Sequence, residues 1–260
     1  AVSLDAVSSF DTVIEFNTTA SGTTATATND YTLTTSPLTI AAGSTTGDIV
    51  VSVVDDSVFE NDETIVIALS SPSNATLGTN TSHTHTITND DAAPIVSYVA
   101  AASSGSENGG DVNIAVSLDV ASDVDVNIPF TVTITGTTAV LTDDYTLPAS
   151  TLTIAAGSTT GNIVVSVIDD SIYEGDKTLI IALNTPTNGN LAATNISHTL
   201  TITEDEAKPT IEFNSTAENA NENLGNITMP VSLSYSSNES ITVAYAVSVA
   251  SSATAADYTL

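Results

Sequence analysis

The stretch from Thr39 to Leu69, TIAAGSTTGDIVVSVVDDSVFENDETIVIAL, returns 114 positions later, from Thr153 to Leu183, as TIAAGSTTGNIVVSVIDDSIYEGDKTLIIAL. That period is the length of a domain, so the chain must fold as a series of like units, not as a solenoid of short coils. Within the first copy, apolar residues occupy alternate positions: Ile49, Val51 and Val53 share one strand face, and Ile65, Ile67 and Leu69 share another. Such alternation marks strands with one buried and one wet face. Between the two strands lies a turn holding Asp55, Asp56, Glu60, Asp62 and Glu63. Two carboxylates 4 Å apart repel by about 1 kcal/mol in water and about 4 kcal/mol at an effective dielectric of 20, so this turn asks for a counter-ion.

Shorter segments keep the same period. Asp30-Tyr31-Thr32-Leu33 recurs as Asp144-Tyr145-Thr146-Leu147 and as Asp257-Tyr258-Thr259-Leu260. Ile87 to Asp91, followed by Pro94, recurs as Ile202 to Glu206, followed by Pro209. On this period residues 1–91 read as a unit lacking its first strand, 92–206 as a complete unit, and 207–260 as the N-terminal part of a third. Ala1 falls in mid-strand by this alignment, which predicts that the chain is a window onto a longer tandem array. The complete unit is expected to form strands over Ile95–Val99, Val112–Leu118, Val124–Thr133, Thr151–Ile154, Ile163–Ile168, Leu179–Leu183 and Ser197–Thr203. Seven short strands separated by Gly, Pro and Asn turns, with no 3.6-residue stripe anywhere, predict an all-β chain of tandem seven-stranded antiparallel immunoglobulin-like sandwiches.

Composition removes several function classes. Against 31 acids stand only Lys177 and Lys208, for a net charge of −29, so nothing could neutralise nucleic-acid phosphates. Cysteine is absent and histidine occurs three times, which leaves no disulfide staple and no ligand set for zinc or copper. No apolar run approaches the length of a membrane-spanning helix. A nucleophile with its base is missing, and short loops leave little room for the substrate groove of a two-carboxylate glycosidase, so the chain is expected to be non-enzymatic. Calcium, which takes about six to eight oxygen ligands in irregular geometry, suits carboxylates gathered from several loops.

The combined pattern resembles the Calx-beta domain. It is carried by Glu107-Asn108-Gly109-Gly110, Asp144-Tyr145, Ala156-Gly157, Asp169-Asp170 with Glu174, and the closing Ile202-Thr203-Glu204-Asp205-Glu206. The resemblance implies Ca2+ held by acids converging at one end of each sandwich. In the complete unit these would be Glu107, Asp144, Asp170, Glu174, Glu204, Asp205 and Glu206. In the first unit the matching acids are Asp30, Asp56, Glu60, Glu63, Asp90 and Asp91, with Asn89 in place of Glu204; the third unit keeps Glu222 and Asp257. Lys177 stands where the first unit has Glu63, so the second unit is expected to bind calcium more weakly or in smaller number.

The closing acids lie within a few residues of Pro94 and Pro209, which open the following units, so the metal is expected at the junctions between domains. The implied role is a calcium-stiffened, extracellular or cell-surface filament, stalk or adhesin, whose partners are neighbouring repeats or copies of itself in a fibre. A regulatory calcium sensor within a larger membrane protein, or a ligand-binding adhesin domain, is the alternative. Asn80 and Asn195 sit in Asn-x-Ser/Thr sequons of the same loop and are candidate glycan acceptors. His83 and His85 are expected to pack at the rim of the core, His85 holding the inward place that Leu200 has in the next unit.

Overall fold

The computed structural model describes residues 1–19 and 21–259, with Glu222 described by its backbone alone. Residues 1–91 contribute β1 (Val2–Ser3), β2 (Thr12–Asn17), β3 (Tyr31–Leu33), β4 (Leu38–Ile40), β5 (Thr46–Gly47), β6 (Val51–Val53), β7 (Glu63–Ser70) and β8 (Ser82–Ile87). The complete unit contributes β9 (Ile95–Tyr98), β10 (Ala102–Ser106), β11 (Asp111–Leu118), β12 (Val126–Val132) and β13 (Tyr145–Thr146). It continues with β14 (Thr151–Ile154), β15 (Thr160–Val167), β16 (Lys177–Leu183), β17 (Asn190–Leu191) and β18 (Ser197–Thr203). Two further strands, β19 (Ile211–Phe213) and β20 (Val231–Leu233), pair in the last unit.

The complete unit is a sandwich of two five-stranded sheets, ordered β10-β18-β16-β12-β14 and β13-β15-β11-β9-β17. Its inner faces carry the alternating residues, and Val96, Val116, Val126, Ile128, Val165, Leu179, Ile181 and Leu200 are fully buried. Ile181→Ala should therefore cost about 2–5 kcal/mol by urea unfolding, because the cavity it leaves cannot collapse fully. The same change at Ile134, which is 93% exposed, should stay within about 0.5 kcal/mol.

All seven expected strands of this unit form, and three short ones join them. β10 pairs in parallel with β18, and β17 pairs in parallel with β9, within sandwiches otherwise antiparallel. The sequence Ala-Ser-Ser-Gly-Ser of β10 has no apolar alternation, so its pairing comes from the edge that β18 offers and not from its own pattern. Between β10 and β11 a single 3-10 turn, Glu107–Gly109, carries Glu107 inward.

The first unit repeats this plan with a smaller core of Phe16, Ala25, Tyr31, Ile65 and Ile67. Among the described residues, 1–91 hold no counterpart of β9 or β10, so β8 is an edge strand. His83 and His85 on it are exposed, not packed at the rim as expected, while the counterpart His198 is 2% exposed beneath β10. His198 is held at both ring nitrogens, by the Ala100 carbonyl at 2.7 Å and the Ser103 hydroxyl at 2.8 Å.

Candidate metal centre

Each acidic turn lies at the end of its sandwich that faces the next unit. The Phe59 carbonyl accepts hydrogen bonds from the Ser122 hydroxyl at 3.1 Å and the Asp123 N–H at 3.0 Å. One period on, the Tyr173 carbonyl accepts from the Ser237 hydroxyl at 3.0 Å and the Asn238 N–H at 3.1 Å. The loop after β11, and its counterpart after β20, thus dock on the turn of the unit before.

In the first unit Asp30, Glu60 and Glu63 can each place a carboxylate oxygen within 4.8 Å of the others. Burial pushes Glu63 up to about 7, with Asp30, Glu60 and Asp123 adding repulsion. Glu60 is raised for the same reasons, burial first and then Asp30, Asp56, Asp123 and Asp91. Asp123 belongs to the second unit, and the sequence reading did not single it out. Its only signal there is its place one residue after Ser122, in a loop whose docking is not legible until the two units touch.

In the complete unit the group that converges is different: Glu107, Glu204, Asp205 and Glu206, again within 4.8 Å. Glu107 is 6% exposed, and burial together with the charges of Glu204, Asp170, Glu206 and Glu174 pushes it up to about 7. Contact with Glu204, then burial, pushes Glu206 up to about 7 as well. Glu63 Oε2 and Glu206 Oε2 are buried oxygens without a hydrogen-bond partner among the described residues. An orphaned carboxylate oxygen inside a group of acids must take either a proton or a cation, and oxygen-only donors fit Ca2+.

Several of the expected ligands, inside and outside these groups, also have work in the local fold. Asp144 and Asp30 each close a loop, accepting from the N–H of Val140 at 2.5 Å and of Thr26 respectively. Asp56 and Asp170 brace the turn itself, accepting from Val58 N–H at 2.8 Å and Ile172 N–H at 2.6 Å. Asp205 accepts from the Asn108 amide at 2.5 Å, which ties the closing acids to the turn that presents Glu107. Glu204 receives the N–H groups of Glu174 at 2.5 Å, Gly175 at 2.6 Å and Glu206 at 3.1 Å. Burial raises Glu204, but those hydrogen bonds outweigh it and hold the carboxyl below its usual range. Gly175 sits at φ 75°, a left-handed conformation open to glycine, and so aims its N–H at Glu204. Where Glu204 stands the first unit has Asn89, whose Oδ1 accepts from Glu60 N–H at 3.3 Å and so keeps the turn-bracing role without the charge.

Asp90 is exposed, whereas Asp91 is half-buried and raised by burial and by Asp90, Asp56 and Asp55. In the last unit Asp257 is bound to the Thr254 N–H and hydroxyl and joins no acidic group among the described residues, and the side chain of Glu222 lies outside them.

Both lysines of the chain serve the second junction. Lys177 Nζ lies 3.5 Å from Glu174, and Lys208 Nζ sits 5.8 Å over the Tyr173 ring. Glu174 also accepts from the Asn238 amide, the residue that takes the place of Asp123. The first junction is therefore acids facing acids, whereas the second has its cations built in.

Because Glu63, Glu107 and Glu206 have folded values near 7 against an ordinary 4.5, the metal-free native state binds more protons than the unfolded chain. The part of its stability that these three groups contribute is therefore full below about pH 4.5 and is lost as pH rises through 7. In chelator the unfolding midpoint should fall across this window. With excess calcium the loss should disappear, since the metal takes the place of the protons. A midpoint in chelator that is flat or rises between pH 5 and 7 would contradict this.

A pair of docked β-sandwiches, each with an acidic group at its leading end, defines a tandem β-sandwich module. The Calx-beta domain family matches residues 2–92 and 89–206, and the chain belongs to that family. These are non-catalytic modules, and the acidic groups are consistent with the Ca2+ sites typical of them. Over 181 residues the chain is 30% identical to sodium/calcium exchanger 1 of Rattus norvegicus, a match covering 63% of this chain and 18% of that protein. For the same exchanger of Canis lupus familiaris the figures are 28%, 63% and 19%. The chain thus spans about a fifth of the length of these relatives. Among solved structures, the apo form of the Calx CBD1 domain is 21% identical with a TM-score of 0.39, covering 44% of this chain and 98% of that one. CBD12 from CALX1.2 is 18% identical with a TM-score of 0.38, covering 77% and 90%.

Proposed function

We propose that this chain is a non-enzymatic, calcium-binding structural repeat in which Ca2+ stiffens the junction between successive sandwiches of an extracellular filament, stalk or adhesin. The observation that carries this reading is Asp123. A carboxylate from one unit faces the acidic group of the unit before it, across a contact already fixed by two hydrogen bonds. Without a cation the two faces repel and the joint is loosened; with one, acids from both domains share a counter-charge. The ligands proposed for the first site are Asp30, Glu60 and Glu63, and for the second Glu107, Glu204, Asp205 and Glu206. Asn80 and Asn195 are both exposed, so a glycan on either would extend into solvent.

Small-angle scattering of the whole chain tests the stiffening. The maximum dimension should grow and its distribution sharpen when calcium replaces chelator. An unchanged profile, with calcium binding shown separately by calorimetry, would leave a bound ion without the mechanical role. The similarity to sodium/calcium exchangers favours a second reading, a regulatory sensor module. A sensor would change shape over a narrow range of free calcium, whereas a structural joint would remain saturated throughout extracellular concentrations.

A further inference from the structure

Asn108 and Gly109 form an Asn-Gly pair inside the turn that presents Glu107, and the fold does not account for the glycine. A Cβ at position 109 would meet the Ser106 Cβ at 3.8 Å, an ordinary contact. The glycine that the backbone requires is the next one, Gly110, which sits at φ 73°. In the last unit Glu222-Asn223-Leu224-Gly225 builds the same 3-10 turn with leucine in the place of Gly109, and Gly225 again lies at φ 73°. What Gly109 provides is an unhindered main-chain nitrogen directly after an exposed asparagine. We propose that Asn108 is a site of spontaneous deamidation, which adds an acid to the group of Glu107, Glu204, Asp205 and Glu206.

The reaction needs only this chain and water. The Gly109 nitrogen attacks Asn108 Cγ and closes a cyclic imide. The amide nitrogen takes up the proton that Gly109 gives up, the Cγ–Nδ2 bond breaks, and ammonia leaves. Water then opens the ring at either carbonyl and leaves aspartate or isoaspartate at 108, so one water is consumed and one ammonia released. Because nucleophile and electrophile belong to neighbouring residues, the attack is intramolecular and avoids the entropy of bringing two molecules together. The Ser106 hydroxyl donates to Asn108 Oδ1 at 3.0 Å, which draws electrons from Cγ and favours the charge that develops on that oxygen during attack.

The other Asn-Gly pair of the chain, Asn188-Gly189, is an internal comparison. Asn188 sits at φ 62° and its amide donates to the Asp125 carbonyl at 3.0 Å. One period earlier Asn74, at φ 53°, makes the same bond to the Asp11 carbonyl at 2.8 Å, so this asparagine has a structural reason. Gly189 is hemmed in: a Cβ there would come within 3.1 Å of Val126 and 3.3 Å of the Pro94 carbonyl, which leaves its backbone no room to swing onto Asn188. The consequence at 108 rests on reading the acidic group as a cation site. Asn108 now donates to Asp205 at 2.5 Å, and either product puts a carboxylate where that donor stood. Deamidation therefore loosens the metal-free turn and enlarges the effect of calcium.

The test ages the whole chain in chelator at mildly alkaline pH and physiological temperature, followed by intact mass and peptide mapping. Residue 108 should gain about 1 Da as a mixture of aspartate and isoaspartate, severalfold faster than residue 188. Gly109→Leu, which copies the last unit, and the smaller change Gly109→Ala should both slow conversion at 108 severalfold and leave 188 as it was. Asn108→Asp, without ageing, should lower the unfolding midpoint in chelator and enlarge the rise that calcium produces. Conversion at 188 as fast as at 108, a lack of isoaspartate at 108, or Gly109 variants that age at the native rate would overturn the inference. Conversion at 108 with an unchanged calcium response would uphold the modification site and overturn the reading of this group as a cation site.

Discussion

Exchanging Glu63 and Lys177 between the two turns is expected to move the calcium-dependent joint from the first junction to the second. Glu63→Lys puts an ammonium into a group of three acids whose oxygens lie within 4.8 Å of one another. It removes one ligand and repels the ion at the same time, so the first site should lose at least about tenfold in affinity, or roughly 1.4 kcal/mol. Lys177→Glu does the reverse: it breaks the 3.5 Å pair with Glu174 and leaves two acids facing Asn238 across the joint. Calorimetric titration of the two single variants and the double variant checks this. The double variant should bind calcium about as strongly as the native chain, but with the stiffening transferred. Indistinguishable isotherms for native chain and Glu63→Lys would show that the turn is a solvated acidic loop and no more.

Calcium itself should produce the largest change in stability. A ligand held at a hundred times its dissociation constant stabilises the native state by about 2.7 kcal/mol. For a domain of roughly this size that corresponds to a rise of about 10 °C in unfolding midpoint. Removal of calcium by chelator should lower the midpoint accordingly, and magnesium should restore little of it, since it demands tight octahedral geometry and gives up its waters reluctantly. Glu107→Gln is the matching substitution. It keeps the shape of a side chain that is 6% exposed but removes its charge, so the metal-free protein should be stabilised while the calcium-induced rise shrinks. A variant that lost stability equally with and without calcium would assign Glu107 to packing alone.

The repeat and the all-β class are legible along the chain. Those depend on local alternation and on spacing, and both are written along the chain: Ile163 to Val167 and Leu179 to Leu183 bury the alternate residues that the pattern picks out. The sequence also marked Lys177 as the residue that makes the two units unequal. Which acids meet depends on how loops far apart in sequence close on one another. Asp144 and Asp170 each give one carboxylate oxygen to a nearby N–H group, as Asp30 does, and hydrogen-bond partners cannot be counted until the loops close. Strands β10 and β17 were invisible because Ala102–Ser106 and Asn190–Leu191 carry no pattern of their own and form by pairing in parallel with edges far away in sequence. His85 is exposed for the converse reason: the strand that would cover it is absent from the described part of its unit. Asp123 and the two lysines owe their meaning to docking between units, a long-range juxtaposition on which local sequence is silent.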